Sequence, residues 1–435
     1  MDRKFKSRKA TAVVTAVGLV AMLVAGSSSA NANTRLSTAV SSNSCINKIF
    51  GPGGKAAGKG VTIKAGMLLA MTGAGSFFGN VMSKGAKLAA EQIAAAGGFN
   101  YKVEIADHKN GDVPTALTEV KRMVLKDKIE VLQTSYGAPS EAIAPIIGQV
   151  GVLTLNGGGS SPGQLGKNFL WQNRMLFGED PTAGALAWIH KKYPAATKLA
   201  IIGTQENGVG AQTITAPKDW SLLTGGTVVA TEQHDVGATD FTALASKIKA
   251  SGADAIITYS FGNDPGYLVK AFRQAAIAAP IMGIEFTQPA QQVAGTVYDT
   301  FNFATDFYNV KNPNPWNKCF VAAYRAKYHT DPEYYGSNYY EQVFIYWELV
   351  KRVIAAGGNP LSAAQLQAAL KKNPTFNSVY GGTATIVGKA SFILKDHSIS
   401  KPMGVFSVKN GEPVLQQEIK KITFGANPNT ALVGK

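Results

Sequence analysis

The sequence predicts an α/β protein of two doubly wound parallel-sheet lobes, and three observations carry that prediction. Strand-like and helix-like segments alternate from Val61 onward. The alternation completes one series and begins a second after Arg174. With residues 1–32 set aside as a leader, 403 of the 435 residues remain, more than one ordinary domain holds. Such alternation builds βαβ units, whose parallel sheets are covered by helices on both faces.

The leader is read from Arg3, Lys4, Lys6, Arg8 and Lys9, an apolar run from Ala10 to Gly26, and Ala30-Asn31-Ala32. Basic, apolar and small-residue regions in that order read as a secretory signal cut before Asn33. An uncleaved membrane anchor is the competing reading of the long apolar run; the placement of Ala-Asn-Ala favours cleavage. Ser27 stands where a lipoprotein requires a cysteine after Leu23-Val24-Ala25-Gly26, so a free exported chain without lipid is expected. Removing the leader takes away five of the 43 basic and one of the 28 acidic residues, leaving a net charge of +11. The lysines are scattered, with no arginine-rich run or interleaved aromatics, which argues against nucleic acid as partner. Attraction to an anionic cell envelope suffices for such a charge. Cys45 and Cys319 with five dispersed histidines give no metal-binding spacing, so neither metal nor cofactor is expected. An oxidising compartment allows one disulfide; two unpaired thiols fit the sequence equally well.

The elements follow in order. Residues 33–60, small, polar and ending in GPGGKAAGKG, read as a mobile leader. Val61–Met71 is a strand, Met82–Ala96 a helix stopped by Gly97-Gly98, and Tyr101–Ala106 a strand. Asp112 then caps a helix through Lys126 with Pro114 in its first turn. Ile129–Gln133, Pro139–Gln149 and Val152–Leu155 continue as strand, helix and strand. The second series has strands Leu199–Ile202, Val228–Thr231, Ala255–Thr258 and Ile281–Gly283, with helices near 181–192, 209–223, 240–250 and 266–278. Helices near 316–328, 337–356 and 362–372 precede a β-rich tail, Thr383–Val387, Ser391–Leu394 and Gly404–Val408. The six tyrosines and tryptophans of Tyr334–Trp347 read as a buried helix face with some hydrated hydroxyls.

Two motifs imitate known sites and fail on detail. Gly73-Ala-Gly75-Ser-Phe-Phe-Gly79 with Asp107 resembles a dinucleotide fingerprint, but Phe77 and Phe78 crowd the place a pyrophosphate would take. Leu155-Asn-Gly-Gly-Gly-Ser-Ser-Pro-Gly163 contains G-x-S-x-G, the serine elbow of hydrolases. The residue after the serine is Pro162, which has no N–H for an oxyanion hole. A serine hydrolase using Ser160 or Ser161 therefore ranks last, and no catalytic residue is assigned.

What remains is a layout at strand ends: Thr134-Ser135-Tyr136-Gly137, Asn156–Ser161, Ser260-Phe261-Gly262-Asn263-Asp264 and Ile284-Glu285-Phe286-Thr287. Open α/β sheets bind ligands outside the carboxyl ends of their strands. Backbone N–H groups and serines suit a carboxylate, and Glu285 suits an ammonium or another donor; a solvated loop carboxylate is the plain alternative for Glu285.

IKAGMLLAMTGAGSFFGNVMSKGAKLAAEQIAAAGG, VGATDFTALASKIKASGADAIIT and GVFSVKNGEP carry a resemblance. They are similar to the opening, middle and closing segments of the branched-chain amino acid (Leu/Ile/Val-type) solute-binding proteins of ABC transporters. The likeness runs from about Val61 to Val414. It implies the type I periplasmic-binding-protein fold, two lobes joined by three crossovers, and no catalysis. The implied lobes are 61–175 with 298–380, and 176–297 with 381–435. By position, Ser135 and the Gly158-Gly159-Ser160 segment would hold a ligand carboxylate, and Tyr136 belongs to the ligand-binding set. Glu285 would meet an ammonium, and Phe78, Asn207, Phe261 and Asn263 would border the pocket. The layout also places both cysteines in the first lobe, so a Cys45–Cys319 disulfide is expected. The implied role is an extracytoplasmic receptor, monomeric, delivering an amino acid or related small carboxylate to a membrane permease. A ligand-binding module of a sensory system is the alternative.

N-terminal sequencing of the exported chain is expected to begin at Asn33 with no diacylglycerol; an uncut or lipid-modified terminus would contradict that reading.

Overall fold

The computed structural model describes residues 44–176, 178–204 and 211–434. The expected signal peptide, 1–32, and the start of the expected leader lie outside them. The described chain opens with helix α1, residues 44–50. The first sheet is wholly parallel: β1 (Thr62–Leu69), β2 (Asn100–Asp107), β3 (Val131–Thr134), β4 (Leu153–Asn156) and β5 (Leu170–Gln172). Its strand order is β2-β1-β3-β4-β5. Helices α2 (Ser76–Ala95), α3 (Val113–Lys121) and α4 (Gly137–Val150) connect these strands. After α5 (Glu179–Lys192) the pattern repeats in β6 (Lys198–Thr204), β7 (Thr227–His234), β8 (Ala255–Tyr259), β9 (Ile281–Gly283) and β10 (Phe301–Asp306). Here the helices are α6 (Ala216–Thr224), α7 (Thr242–Ser251), α8 (Asp264–Gln274) and α9 (Gln288–Ala294).

Helices α10 (Pro315–Tyr328), α11 (Tyr334–Ala355) and α12 (Ala363–Lys372) then return to the first sheet, followed by a small antiparallel sheet of β11 (Thr375–Ser378), β12 (Gly388–Phe392) and β13 (Ile399–Ser400). A final hairpin, β14 (Met403–Lys409) and β15 (Glu412–Ile419), completes the second sheet, whose order is β15-β14-β10-β9-β8-β6-β7. The chain thus passes between the two sheets three times, near residues 173–178, 307–314 and 401–402.

Alternation along the strands explains why each sheet is buried on both faces. In β1, Ile63, Ala65, Met67 and Leu69 enter one core while Leu68 enters the core on the opposite face. In β6, Leu199 and Ile201 face one core, Ala200 and Ile202 the other. A period of two with both faces apolar is the mark of a central parallel strand. Local signals act as read from the sequence: Asp112 Oδ1 accepts the Thr115 N–H at 2.9 Å, capping α3 with Pro114 in its first turn.

Four expectations need correction. The leader is not mobile from residue 44: α1 buries Ile46 and Phe50, and Cys45 is bonded to Cys319 with a Cα–Cα distance of 6.3 Å. The Phe50 ring lies 4.8 Å from Trp316 and 4.7 Å from Phe344, an aromatic seat that composition alone hides behind the flanking glycines. The return to the first lobe comes after residue 306, not at 298, because β10 pairs with β9 and β14 inside the second sheet. The second lobe resumes near 401, not 381, because Ala390, Phe392 and Ile399 pack in the first-lobe core. Finally, Thr383–Val387 forms no strand; the strand is β12, five residues later, after Gly381 and Gly382 at positive φ.

The disulfide closes a loop of 274 residues, worth roughly 5 kcal/mol in the chain-entropy model before strain is considered. Cys45→Ala is expected to release α1 to protease and to lower the unfolding free energy by about 2–4 kcal/mol in urea titrations. Unchanged cleavage and an unchanged midpoint would count against a structural role for the bridge.

Candidate ligand-binding cleft

Both sheets have the same five-strand parallel order, so each has a crevice beside its first strand where the connections diverge to opposite sides. The loops from these two crevices enclose a cavity of about 140 Å³. From the first lobe it is lined by Gly75, Phe78, Asn110, Tyr136, Gly158 and Gly159, with Tyr335 from α11. From the second come Gly237, Thr239, Phe261, Asn263, Asp264 and Tyr267. Six residues expected from the sequence therefore meet here: Phe78, Tyr136, Gly158, Gly159, Phe261 and Asn263. Asn207 lies outside the described residues. Ser135, Ser160 and Glu285 do not line the cavity.

The glycines are there for close approach. A Cβ on Gly75 would stand 2.2 Å from the Tyr136 hydroxyl and 2.4 Å from Asn110 Oδ1, the pair joined by a 3.1 Å hydrogen bond. On Gly158 it would meet Met82 Cε at 2.6 Å and Ser135 Cβ at 2.8 Å, and on Gly159 the Tyr136 Cα at 2.8 Å. Gly158 and Gly159 thus make room for neighbouring groups. Their N–H groups are not open to an anion: Asn156 Oδ1 accepts from Gly158 at 3.0 Å and from Gly159 at 3.2 Å.

The serines are likewise engaged. Ser135 Oγ lies 2.9 Å from His108 Nε2, a contact that looks catalytic until the tautomer is worked out. His108 Nδ1 accepts the Gly111 N–H at 2.9 Å, so Nε2 carries the proton and donates to the serine. Burial pushes the His108 imidazole down to about 4, which keeps it neutral. Ser160 Oγ donates to the Met175 carbonyl and Ser161 Oγ to Glu141. None of these three serines faces an accepting imidazole, so the elbow-like motif presents no activated nucleophile.

Behind the cavity lies a buried polar network that joins the lobes. Glu285, from the loop after β9, is 1% exposed; it accepts the Gly262 N–H at 2.7 Å and the hydroxyls of Tyr335 and Tyr334 at 2.8 and 3.2 Å. Burial raises its pKa, opposed by the Gly262 N–H and the Arg174 charge. Arg174, at the first crossing, is wholly buried and pairs with Asp306 of the second crossing at 3.0 Å. Its Nη1 donates to Tyr335 Oη at 3.0 Å and to the Gly158 carbonyl at 3.1 Å. Its guanidinium lies 4.7 Å from the Tyr335 ring centre. Asn338 on α11 touches all three crossings. Its carbonyl accepts from Asn173 at 3.1 Å, its Nδ2 donates to Asp306 at 3.4 Å, and its Oδ1 accepts from Lys401 at 2.7 Å. Lys401 also pairs with Glu341 at 2.5 Å, both buried.

One acid does line the cavity. Asp264, 2% exposed at the start of α8, accepts the Gly237 N–H on both oxygens at 3.0 and 3.1 Å. Burial pushes its carboxyl up to about 7; the Gly237 N–H opposes the rise and the Glu285 charge adds to it. Asp264 stands in one of the strand-end stretches picked out in the sequence, but nothing local distinguished it from Asn263. Tyr335 was hidden in a helix read, correctly, as mostly buried. Among the described residues no group of three His, Cys, Asp or Glu is arranged to hold a metal ion.

A sequence model of the family described as periplasmic binding protein matches residues 62–413. An amino acid binding protein of Pseudomonas aeruginosa is 28% identical over 235 residues, 52% of this chain and 62% of that protein, so the match spans less than two thirds of its length. A Leu/Ile/Val-binding protein homolog of Brucella suis is 24% identical over 327 residues, covering 73% of this chain and 85% of the relative. Among solved structures, a branched-chain amino acid transporter substrate binding protein from Streptococcus pneumoniae in complex with isoleucine gives a TM-score of 0.70 at 22% identity. That likeness covers 82% of this chain and 99% of the other. A solute binding protein of an ABC transporter from R. palustris in complex with benzoate gives 0.72 at 18% identity, covering 84% and 98%. At these identities the structures speak to the fold, which is shared along almost their whole length.

Removing one charge of a buried pair leaves the other stranded. Asp306→Asn is expected to cost about 3–5 kcal/mol of unfolding free energy, measured in urea. A loss below about 1 kcal/mol, the range of an exposed pair, would contradict the role given to Arg174 and Asp306.

Proposed function

This chain belongs to the periplasmic binding protein family, a family of binding proteins and not of enzymes, and from that premise we propose that it is the extracytoplasmic receptor of an ABC importer. It captures an amino acid or related small carboxylate between its lobes and delivers it to a membrane permease. The observation that carries this reading is a cavity at the carboxyl ends of both sheets, lined from both lobes and backed by three crossings. A ligand there contacts both lobes at once, so its binding energy favours closure, which is how a two-state receptor signals occupancy.

The ligand-binding set is Phe78, Tyr136, Gly158, Gly159, Phe261 and Asn263, joined by Asn110, Thr239, Asp264, Tyr267 and Tyr335. The side chains of Asn110, Thr239 and Asn263 supply neutral donors for a carboxylate. Ser135, Ser160 and Glu285 act one layer behind, positioning Tyr136, the glycine loop and Tyr335. The likeness to relatives described as amino acid and Leu/Ile/Val binding proteins supports the ligand class. Export with cleavage before Asn33, no lipid, and action as a monomer complete the proposal.

Native mass spectrometry of protein purified without denaturation is expected to show a small-molecule adduct that unfolding releases. A solute added at about 100 times its Kd should stabilise the chain by about 2.7 kcal/mol, a clear rise in melting temperature. No adduct, and no stabilisation by any amino acid or small carboxylate, would overturn the reading.

A further inference from the structure

Charge and ring chemistry inside the cavity narrow the class of solute, on the premise that the cleft is the receptor site. Among the described residues that line it, Asp264 is the only ionisable carboxylate and there is no lysine or arginine. The neighbours of Asp264 do not neutralise it. His234 Nδ1 is 3.8 Å away, but that nitrogen donates to the Asp235 carbonyl at 2.9 Å and Nε2 is left to accept from Ser260 Oγ at 2.7 Å. Burial holds the His234 pKa below its ordinary value, which favours the neutral ring. Arg174 is held by Asp306 and Tyr335, and the Glu285 carboxylate adds further negative charge on this side of the cleft. A buried carboxylate without a cation is costly, which is why the Asp264 carboxyl is pushed up to about 7; a cation beside it would favour the ionised form.

The remaining walls suit a cation. Five of the lining residues are aromatic: Phe78, Tyr136 and Tyr335 from the first lobe, Phe261 and Tyr267 from the second. Phe78 meets Tyr335 edge-on at 5.0 Å and Tyr136 edge-on at 6.4 Å. Aromatic faces attract ammonium groups, most strongly where water is excluded. An anion finds less: Asn156 already takes the N–H groups of Gly158 and Gly159. At about 140 Å³ the space compares with the ~150 Å³ cavity that accommodates benzene, enough for one compact solute.

We propose that the solute of this cleft carries a cationic nitrogen, received by Asp264 and the surrounding aromatic rings, and that Asp264 selects such ammonium-bearing solutes against plain aromatic or aliphatic acids. The acid that meets the cation is then Asp264 and not Glu285, whose acceptor positions are taken by Gly262, Tyr334 and Tyr335.

The test uses the full mature chain and titration calorimetry beside small-angle scattering. The probes are the common amino acids, glycine betaine and choline, set against benzoate and the 2-oxo acids that lack the nitrogen. At least one nitrogen cation is expected to bind and compact the wild type, while benzoate and the 2-oxo acids do not. Asp264→Asn keeps an acceptor for the Gly237 N–H and removes the charge; it should weaken the cation roughly ten- to a hundredfold. Compaction by benzoate or a 2-oxo acid, with Asp264→Asn binding it equally or more tightly, overturns the cation requirement and leaves the receptor reading standing. Absence of binding and compaction with every probe overturns both. Should Asp264→Asn fail to fold, the selectivity of the wild type between each amino acid and its 2-oxo acid decides the matter alone.

Discussion

The buried ion pair between Arg174 and Asp306 is the interaction on which the rest of this structure depends. Each residue sits at a separate crossing between the lobes, and both are fully enclosed, so neither charge tolerates the loss of its partners. Satisfying them dictates the neighbourhood. Tyr335 and Thr305 accept from the guanidinium, the Gly158 carbonyl accepts from it as well, and Asn338 and the Met175 N–H complete Asp306. Asn338 then extends the arrangement to Lys401 at the third crossing. The pivot is therefore polar, saturated and narrow, while the hydrophobic cores stay within each lobe. Two sets of cores joined by a narrow polar pivot are what the proposed closure would turn on.

The same network shapes the site. Tyr335 donates to Glu285, accepts from Arg174 and lines the cavity, so one side chain joins the crossing, the cross-lobe contact and the cavity wall. The glycine–serine segment after β4 serves this arrangement. Gly158 offers its carbonyl to Arg174 and leaves room for Met82, and Ser160 is tied to Met175 beside the first crossing. Hydroxyls that look available in the sequence are spent on holding loops in place. The described cavity offers aromatic rings, one carboxylate and a few amide groups.

Much of the fold was legible because parallel strands announce themselves as short apolar runs between capped helices. β6, β8, and α3 with its Asp112 cap all lie where the pattern placed them. Errors fell where tertiary pairing, not local pattern, decides. Phe301–Asp306 joins the second sheet only because β9 and β14 flank it, and α1 is held by a bridge spanning 274 residues and by the distant rings of Trp316 and Phe344. The site was half legible for a similar reason. Strand-end loops gather at the cavity by topology, which is why Tyr136, Phe261 and Asn263 line it; Phe78, at the start of α2, came from the resemblance alone. Which atoms remain open to a ligand depends on partners such as Asn156, His108 and Tyr334, which no spacing reveals. Glu285 accepts from Gly262, Tyr334 and Tyr335 and lies behind the cavity, whereas Asp264 accepts from Gly237 and lines it.

Closure of the two lobes around a solute is the central claim, and a distance across the cleft reads it directly. Lys109 and Asp240 are exposed on opposite rims, each next to a residue that lines the cavity. Spin labels at these two positions, followed by pulsed dipolar spectroscopy while solute is added, report the separation of the lobes. Solute is expected to collapse the distribution to a single shorter distance, while the labelled protein without solute retains a longer component. A distribution that saturating solute leaves unchanged would contradict closure.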